Sequence, residues 1–294
     1  WLMAGTLAIG TGPVVAAGFQ LNETSGSGLG NAFAGAAAAA EDASTLWSNP
    51  AGLSRLGERQ LAGAIHLVTP SIKFRNQFSA AATQQPLGGD GGDAGGLNVV
   101  PNVYFAMPLN RQWTLGLGIN APWGLVTDYD DGWIGRFQAD KSDIKTVNIN
   151  PAASYRLQDN LSLGFGLNVQ WIDATFTNQV NDSGALLQAG GPATPGLETG
   201  VRIKGSDTAF GWNAGLLWEL NKDRRVGVHF RSGIRYDVSG DVTFTNPTTS
   251  NPAAAAVNTN VLFNAGVTAY AELPPNDRMS SEGAVAQRGV VGVE

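Results

Sequence analysis

Between Gln112 and Asn120 every second residue is apolar: Trp113, Leu115, Leu117 and Ile119 alternate with Thr114, Gly116, Gly118 and Asn120. Leu161 to Trp171 repeats the pattern, with Leu161, Leu163, Phe165, Leu167, Val169 and Trp171 against Ser162, Gly164, Gly166, Asn168 and Gln170. Phe210 to Trp218 does so again. From Val226 to Val238, apolar Val226, Val228, Phe230, Ile234, Tyr236 and Val238 stand against His229, Arg231, Arg235 and Asp237. Period two puts successive side chains on opposite faces, so each run predicts a strand with one apolar and one polar face. Weaker alternation over 60–69, 71–79, 98–108, 143–156 and 260–272 brings the count to about eight or nine strands. Short polar turns at 109–111, 158–160 and 221–223 join strands at one end. Longer Gly-, Pro-, Thr- and Asn-rich stretches at 80–97, 179–205 and 246–258 join them at the other. Leu186, Leu187 and Leu197 in the 179–205 stretch either pack that loop or offer an apolar ligand a first hold.

Composition decides which face meets what. Charged residues make up 14% of the 294-residue chain, against about 25% in soluble proteins. No run approaches the ~18 apolar residues of a membrane helix beyond the N-terminus. Several strands reach or exceed the ~10 residues that span a bilayer at a tilt, and Trp recurs near strand ends, where aromatic girdles sit. The polar faces are rich in Gly, Ser and Asn and poor in Lys and Glu. The fold class expected is therefore all-β, a transmembrane antiparallel barrel; in a soluble sandwich the same faces would be inverted. A charge on the lipid face near the midplane costs about 2–4 kcal/mol, so His229, Arg231, Arg235 and Asp237 are expected to face the interior. Short turns are then periplasmic and long loops extracellular.

The N-terminus is not strand-like. Residues 1–16 read as the apolar region and cleavage site of a secretory signal, with Val14 and Ala16 as the small residues before a mature start at Ala17. Next come Ala17–Glu23 (AGFQLNE), Ser25–Gly30 (SGSGLG), an alanine tract, Glu41-Asp42 and Trp47–Ala51 (WSNPA). This order of signal, small-residue block and strands resembles the FadL/TodX family of outer-membrane channels for long-chain fatty acids and other hydrophobic compounds. Val100–Asn110, the strand that follows it through Pro122–Leu125, and Ala209–Gly240 carry the resemblance further. It implies an N-terminal plug or hatch over 17–56, with Asn49-Pro50-Ala51 as its signature, and barrel strands over 57–275. Family barrels have about fourteen strands and end on an aromatic residue. Residues 276–294 lose the alternation and read as the tail of a truncated or frame-shifted chain, so the barrel here is expected to be incomplete.

The resemblance implies passive uptake of long-chain fatty acids or other hydrophobic molecules across the bacterial outer membrane. The lipid bilayer and the outer-membrane assembly machinery are then its partners. In the family an inward kink of an early strand opens the wall beside the hatch. Here Pro122-Trp123-Gly124 interrupts a long strand: proline gives no ladder donor and glycine weakens the pairing. The alternative is a plain interfacial bulge. Phe19 and Leu21 either line the end of an apolar pocket or pack the plug. Asn22, Glu23 and Asn49 are expected to anchor it, with Pro50 fixing a turn. Arg231 and Arg235 are the candidate contacts for a ligand carboxylate.

Other chemistry is thin. Cysteine is absent, which excludes disulfides and thiolate sites. His66 and His229 have no metal-spaced partner, so neither metal nor cofactor is expected. Net charge of −6 argues against nucleic acid. The segment around Ser27 matches neither a nucleophile elbow nor a dinucleotide fingerprint. An enzyme is not expected; the rival readings are a general porin and, further off, an outer-membrane lipase acting through Ser27.

Overall fold

The computed structural model describes residues 20–188, 190–245, 281–285 and 290–293. The signal region at 1–16, Phe19, the loop expected at 246–258 and the strand expected at 260–272 lie outside them. Residues 20–56 hold three short helices, α1 (Gly26–Gly30), α2 (Ala36–Ala39) and α3 (Thr45–Ser48), and a 3-10 turn over Pro50–Arg55. Strands follow as β1 (Gln60–Val68), β2 (Asn98–Pro108), β3 (Trp113–Asn120), β4 (Gly124–Asp128), β5 (Lys141–Gln158) and β6 (Leu161–Asn181). After helix α4 (Asp182–Gln188) come β7 (Glu198–Glu219), β8 (Arg225–Arg231), β9 (Ile234–Thr245), β10 (Ser281–Val285) and β11 (Val290–Val293).

All pairing between these strands is antiparallel and joins them into one sheet in sequence order, with β3 and β4 sharing one lane and β8 and β9 another. Ser281–Val285 and Val290–Val293, in the stretch read as an atypical tail, pair with β9 and β8. The segment 71–79, expected as a strand, is irregular. Among the described residues no strand pairs with it; its Ile72 amide instead donates to the Asp93 carboxylate at 2.7 Å.

Through β3, β8 and residues 147–155, 161–171 and 210–218 of β5, β6 and β7, the apolar set is largely exposed and the small polar set is buried. Leu117, Ile149, Phe165, Leu167, Trp212 and Phe230 face out, while Asn148, Asn150, Asn168 and Asn213 face in. This is the expected membrane arrangement: lipid outside, a polar interior. The residues of 20–56 pack on the inner face against strands from β1 to β8, so the sheet must curl around them. Two glycines show how close that packing is. A Cβ on Gly164 would overlap the Ala51 amide, and one on Gly215 would overlap the Asn49 side chain. Here the polar face is small because a plug-sized segment is pressed against it.

One strand departs from the sequence reading. Asn213 opposes Arg231, but higher on β7 Gly205 opposes Gly240, so the pairing slips by one residue at Ser232-Gly233 between β8 and β9. A one-residue slip sends every later side chain to the other face. His229 and Arg231 point inward as expected. Arg235 and Asp237, expected inside with them, are on the exposed outer face. Ile234 and Tyr236 instead turn inward and pack with Ile172 and Ala209.

Candidate functional site

A second slip occurs where Pro122 interrupts the strand. β3 pairs with β5 through Asn120↔Asn148, and β4 resumes through Gly124↔Lys145, one residue out of step. Between them the Thr146 side chain takes over the ladder: Trp123 N donates to Thr146 Oγ1 at 3.0 Å, and Thr146 Oγ1 donates to Trp123 O at 2.8 Å. The break therefore keeps its hold on β5 and loses it on the other side. β2 pairs with β3 only over Val103–Pro108, while Asn98–Asn102 pair with β1 alone. The result is a gap in the wall between upper β2 and β4. Its floor is the Val103–Ile119 pair, and the Asp128 amide, which donates to Ala94 O at 3.0 Å, bounds it above.

Residues 20–24 lie across that gap. Gln20 bridges to Trp123, and Leu21 N donates to Pro122 O at 2.9 Å. Leu21 is half-buried and reaches over Gly124, where an added Cβ would sit 3.1 Å from its Cδ1. On the β2 side Tyr104 OH donates to Thr24 O at 2.7 Å, and Asn102 Nδ2 donates to Glu23 O at 3.3 Å. Glu23 is thus fastened through its backbone. Asn22 is exposed.

Asn49 ties the N-terminal segment to the far wall. Its Nδ2 donates to Ala37 O at 2.7 Å and to Leu216 O of β7 at 3.0 Å, and its Oδ1 accepts from Ala51 N at 3.0 Å. Pro50 opens the 3-10 turn, and Ala51 is fully buried against β6. The lower end is pinned by ion pairing of Arg55 with Glu219 and by the Arg156 guanidinium donating to Ser54 O.

Arg231 is 4% exposed, and among the described residues no carboxylate pairs with it. It donates to Asn168 Oδ1 and, at 2.8 Å, to Trp47 O, and its Cζ lies 3.6 Å from the centre of the Trp47 ring. An amide belt runs from it along the inner wall: Asn213 Oδ1 accepts from Asn168 and Asn150, and Asn148 donates to Asn168 and Asn120. Above this belt the inner wall turns apolar at Ile144, Ile172, Ala209, Ile234 and Tyr236, with Asp207 as the charged exception. Arg231 and Arg235 are not brought together.

The long loops are knitted at the top. Arg136, 3% exposed at its side chain, holds Glu198 with Nη2–Oε1 at 2.7 Å and also donates to Trp133 O and Pro86 O. Leu186 and Leu197 are buried there, while Leu187 is exposed. Asp182 caps the same corner beneath Thr199, which donates to it at 2.6 Å. Burial lifts its carboxyl to about 6, and the nearby Glu198 charge adds to that against the Thr199 bond.

Asn102, Tyr104 and Arg136 carry no signal in the sequence, and His66 and Trp47 none for the contacts they make here. The recurrence of Asn at inward positions on β5, β6 and β7 was the available signal for the amide belt. Nothing local marks the other residues, because their partners lie far away in sequence.

Residues 7–282 match the family model described as outer membrane protein transport protein (OMPP1/FadL/TodX). The chain is 32% identical over 252 residues to the long-chain fatty acid transport protein of Escherichia coli O6:H1, covering 80% of this chain and 54% of that one. It is 32% identical over 290 residues to outer membrane protein P1 of Haemophilus influenzae, covering 89% and 61%. Its fold matches the crystal structure of a Pseudomonas aeruginosa FadL homologue with a TM-score of 0.67 at 23% identity, over 94% of this chain and 64% of that one. The chain thus spans about half the length of the fatty acid transport protein it resembles.

Proposed function

This chain belongs to the OMPP1/FadL/TodX family of outer-membrane transport proteins, and on that premise we propose that it passes hydrophobic molecules, long-chain fatty acids among them, sideways through its wall. The observation that carries the proposal is the gap between β2 and β4 beside the plug. The apolar inner wall above the belt gives a hydrocarbon tail a surface away from water. Arg231 and the amide belt lie below it and suit a carboxylate head group. From there the gap offers an apolar route into the bilayer once the segment 20–24 lying across it moves aside.

A general porin would need a water-filled passage. Asn49, Pro50 and Ala51 pressed on β6 and β7 speak against that reading. An activity without catalysis, and insertion by the outer-membrane assembly machinery, belong to the same proposal.

Straightening the strand tests it. Pro122→Val with Gly124→Thr restores a ladder donor and β propensity at the break. In the full-length protein this pair is expected to lower fatty acid uptake by about tenfold or more while barrel assembly persists and ligand still binds. Normal uptake by a correctly assembled double variant would exclude the lateral route.

A further inference from the structure

An opening in the wall needs something to govern it. The segment across this gap is held on two sides by different means. On the β4 side the hold is backbone to backbone, Leu21 N to Pro122 O at 2.9 Å. On the β2 side it depends on side chains. Tyr104 OH donates to Thr24 O at 2.7 Å, and Asn102 Nδ2 donates to Glu23 O at 3.3 Å. Behind Asn102, on β1, His66 Nε2 lies 2.9 Å from the same amide nitrogen.

We propose that His66, Asn102 and Tyr104 form a latch on β1 and β2, positioning residues that hold hatch residues 20–24 across the gap and so set how readily the wall opens. The proposal rests on the lateral reading of the site and adds its regulation.

The chemistry constrains each member. All three side chains are in buried residues, so an unmade bond there is costly. The amide nitrogen of Asn102 can only donate, so the His66 nitrogen facing it must be the unprotonated acceptor. Turning the amide over would set its oxygen against the Glu23 carbonyl. His66 therefore fixes the orientation that lets Asn102 reach the hatch. Tyr104 packs its ring with Leu46 and the other buried core residues and spends only its hydroxyl on Thr24. Every bond in the latch is between neutral groups, each worth roughly two- to tenfold in an equilibrium. Such a latch keeps the segment in place at rest and still lets it go.

The chain has no cysteine, so a single introduced thiol reports on the segment cleanly. Leu21→Cys would be placed in the full-length, membrane-assembled protein and treated with a water-soluble maleimide. Tyr104→Phe or Asn102→Leu is expected to raise its reaction rate by roughly five- to tenfold, and the two together by more. His66→Leu should act like Asn102→Leu, whereas His66→Gln, which keeps an acceptor, should stay near the parent rate. A thiol at Ala43→Cys, fully buried in the hatch core, should remain unreactive in all of them. An unchanged Leu21→Cys rate in the Tyr104→Phe/Asn102→Leu variant overturns the latch, as does a parallel rise at Ala43→Cys, which would mean that the whole plug had loosened.

A second measurement tests the link to transport. Oxidising Leu21→Cys with Gly124→Cys would pin the segment over the kink. Uptake of a fluorescent long-chain fatty acid should fall at least tenfold and return on reduction. Parent-level uptake with the cross-link formed overturns the gating role. Failure of the lateral route itself would appear elsewhere, as normal uptake by Pro122→Val/Gly124→Thr, while the maleimide rates would still report the latch.

Discussion

The same strands run through two regions with opposite polarity. In the lower band, Leu163, Phe165 and Leu167 of β6 face out and Ser162 and Asn168 face in. Higher on that strand Ile172 and Ala174 are buried inside, while outside Asp173 lies near Lys204 of β7, 4.0 Å away. On β5, Ile149 faces out below; above, Ile144 faces in and Lys145 faces out. The lower band has lipid for its outer solvent and the upper region has water, so the apolar set follows the dry side in each.

The inversion is reached in two ways. Along β5, β6 and β7 the backbone keeps its register and the sequence changes phase: on β6 the apolar residues pass from odd positions through Trp171 to even positions from Ile172. In the β3–β4 and β8–β9 lanes the sequence keeps its phase and the backbone slips. Leu117 and Ile119 face out, yet Trp123, in the same phase, is buried inside; Val228 and Phe230 face out, yet Ile234 and Tyr236 face in. Both slips fall at the boundary between the regions. At the β3–β4 slip, unlike elsewhere among the described residues of that lane, the neighbouring strand β2 no longer pairs. A register slip alone inverts a face; a lost neighbour leaves a strand edge without its ladder.

The largest test of this contrast puts one charge in both regions. Leu167→Arg places a cation on the outer face of the lower band and should cost about 2–4 kcal/mol, read as lost assembly or a large drop in unfolding free energy in lipid vesicles. Ser206→Arg, also outward but in the upper region, should stay within about 0.5 kcal/mol. Equal costs would remove the boundary drawn here.

Next in size is a test of the slip at Ser232-Gly233. Arg231→Met strips partners from the buried Asn168 amide and the Trp47 carbonyl and should cost about 1.5–3 kcal/mol, with the plug loosened as judged by protease sensitivity. Arg235→Met, four residues on and outside, should change stability by less than about 0.5 kcal/mol. If both arginines faced inward, as uninterrupted alternation implies, the two would behave alike.

The smallest effect belongs to the upper region alone. Asp182 has its folded carboxyl raised from 3.8 to about 6. The contribution is therefore full below about pH 4 and is lost as pH rises through about 6, leaving the α4 corner weaker at pH 7. The difference should be on the order of 1–2 kcal/mol after solvent screening. Hydrogen exchange over 182–197 should be slower at pH 5 than at pH 7 after correction for intrinsic rates. Asp182→Asn should abolish the difference and leave the corner protected at both pH values.

The sequence by itself determined most of the described strands, though not the irregular 71–79, together with their antiparallel order and the outward face of the lower band, since period-two alternation and the cost of a charge in lipid are both local rules. It also marked the break at Pro122-Trp123-Gly124, because a missing amide is visible without any partner. The tertiary structure decided what the break faces, since that depends on where β2 stops pairing. It decided the side taken by Arg235 and Asp237, because one extra residue in a ladder leaves no trace in a pattern that keeps its phase. It decided, too, that Asn102 and Tyr104 meet the carbonyls of Glu23 and Thr24 about eighty positions away, with His66 behind Asn102. Alternation assigns a residue to a face, but only the curl of the sheet around the plug brings that face to a partner.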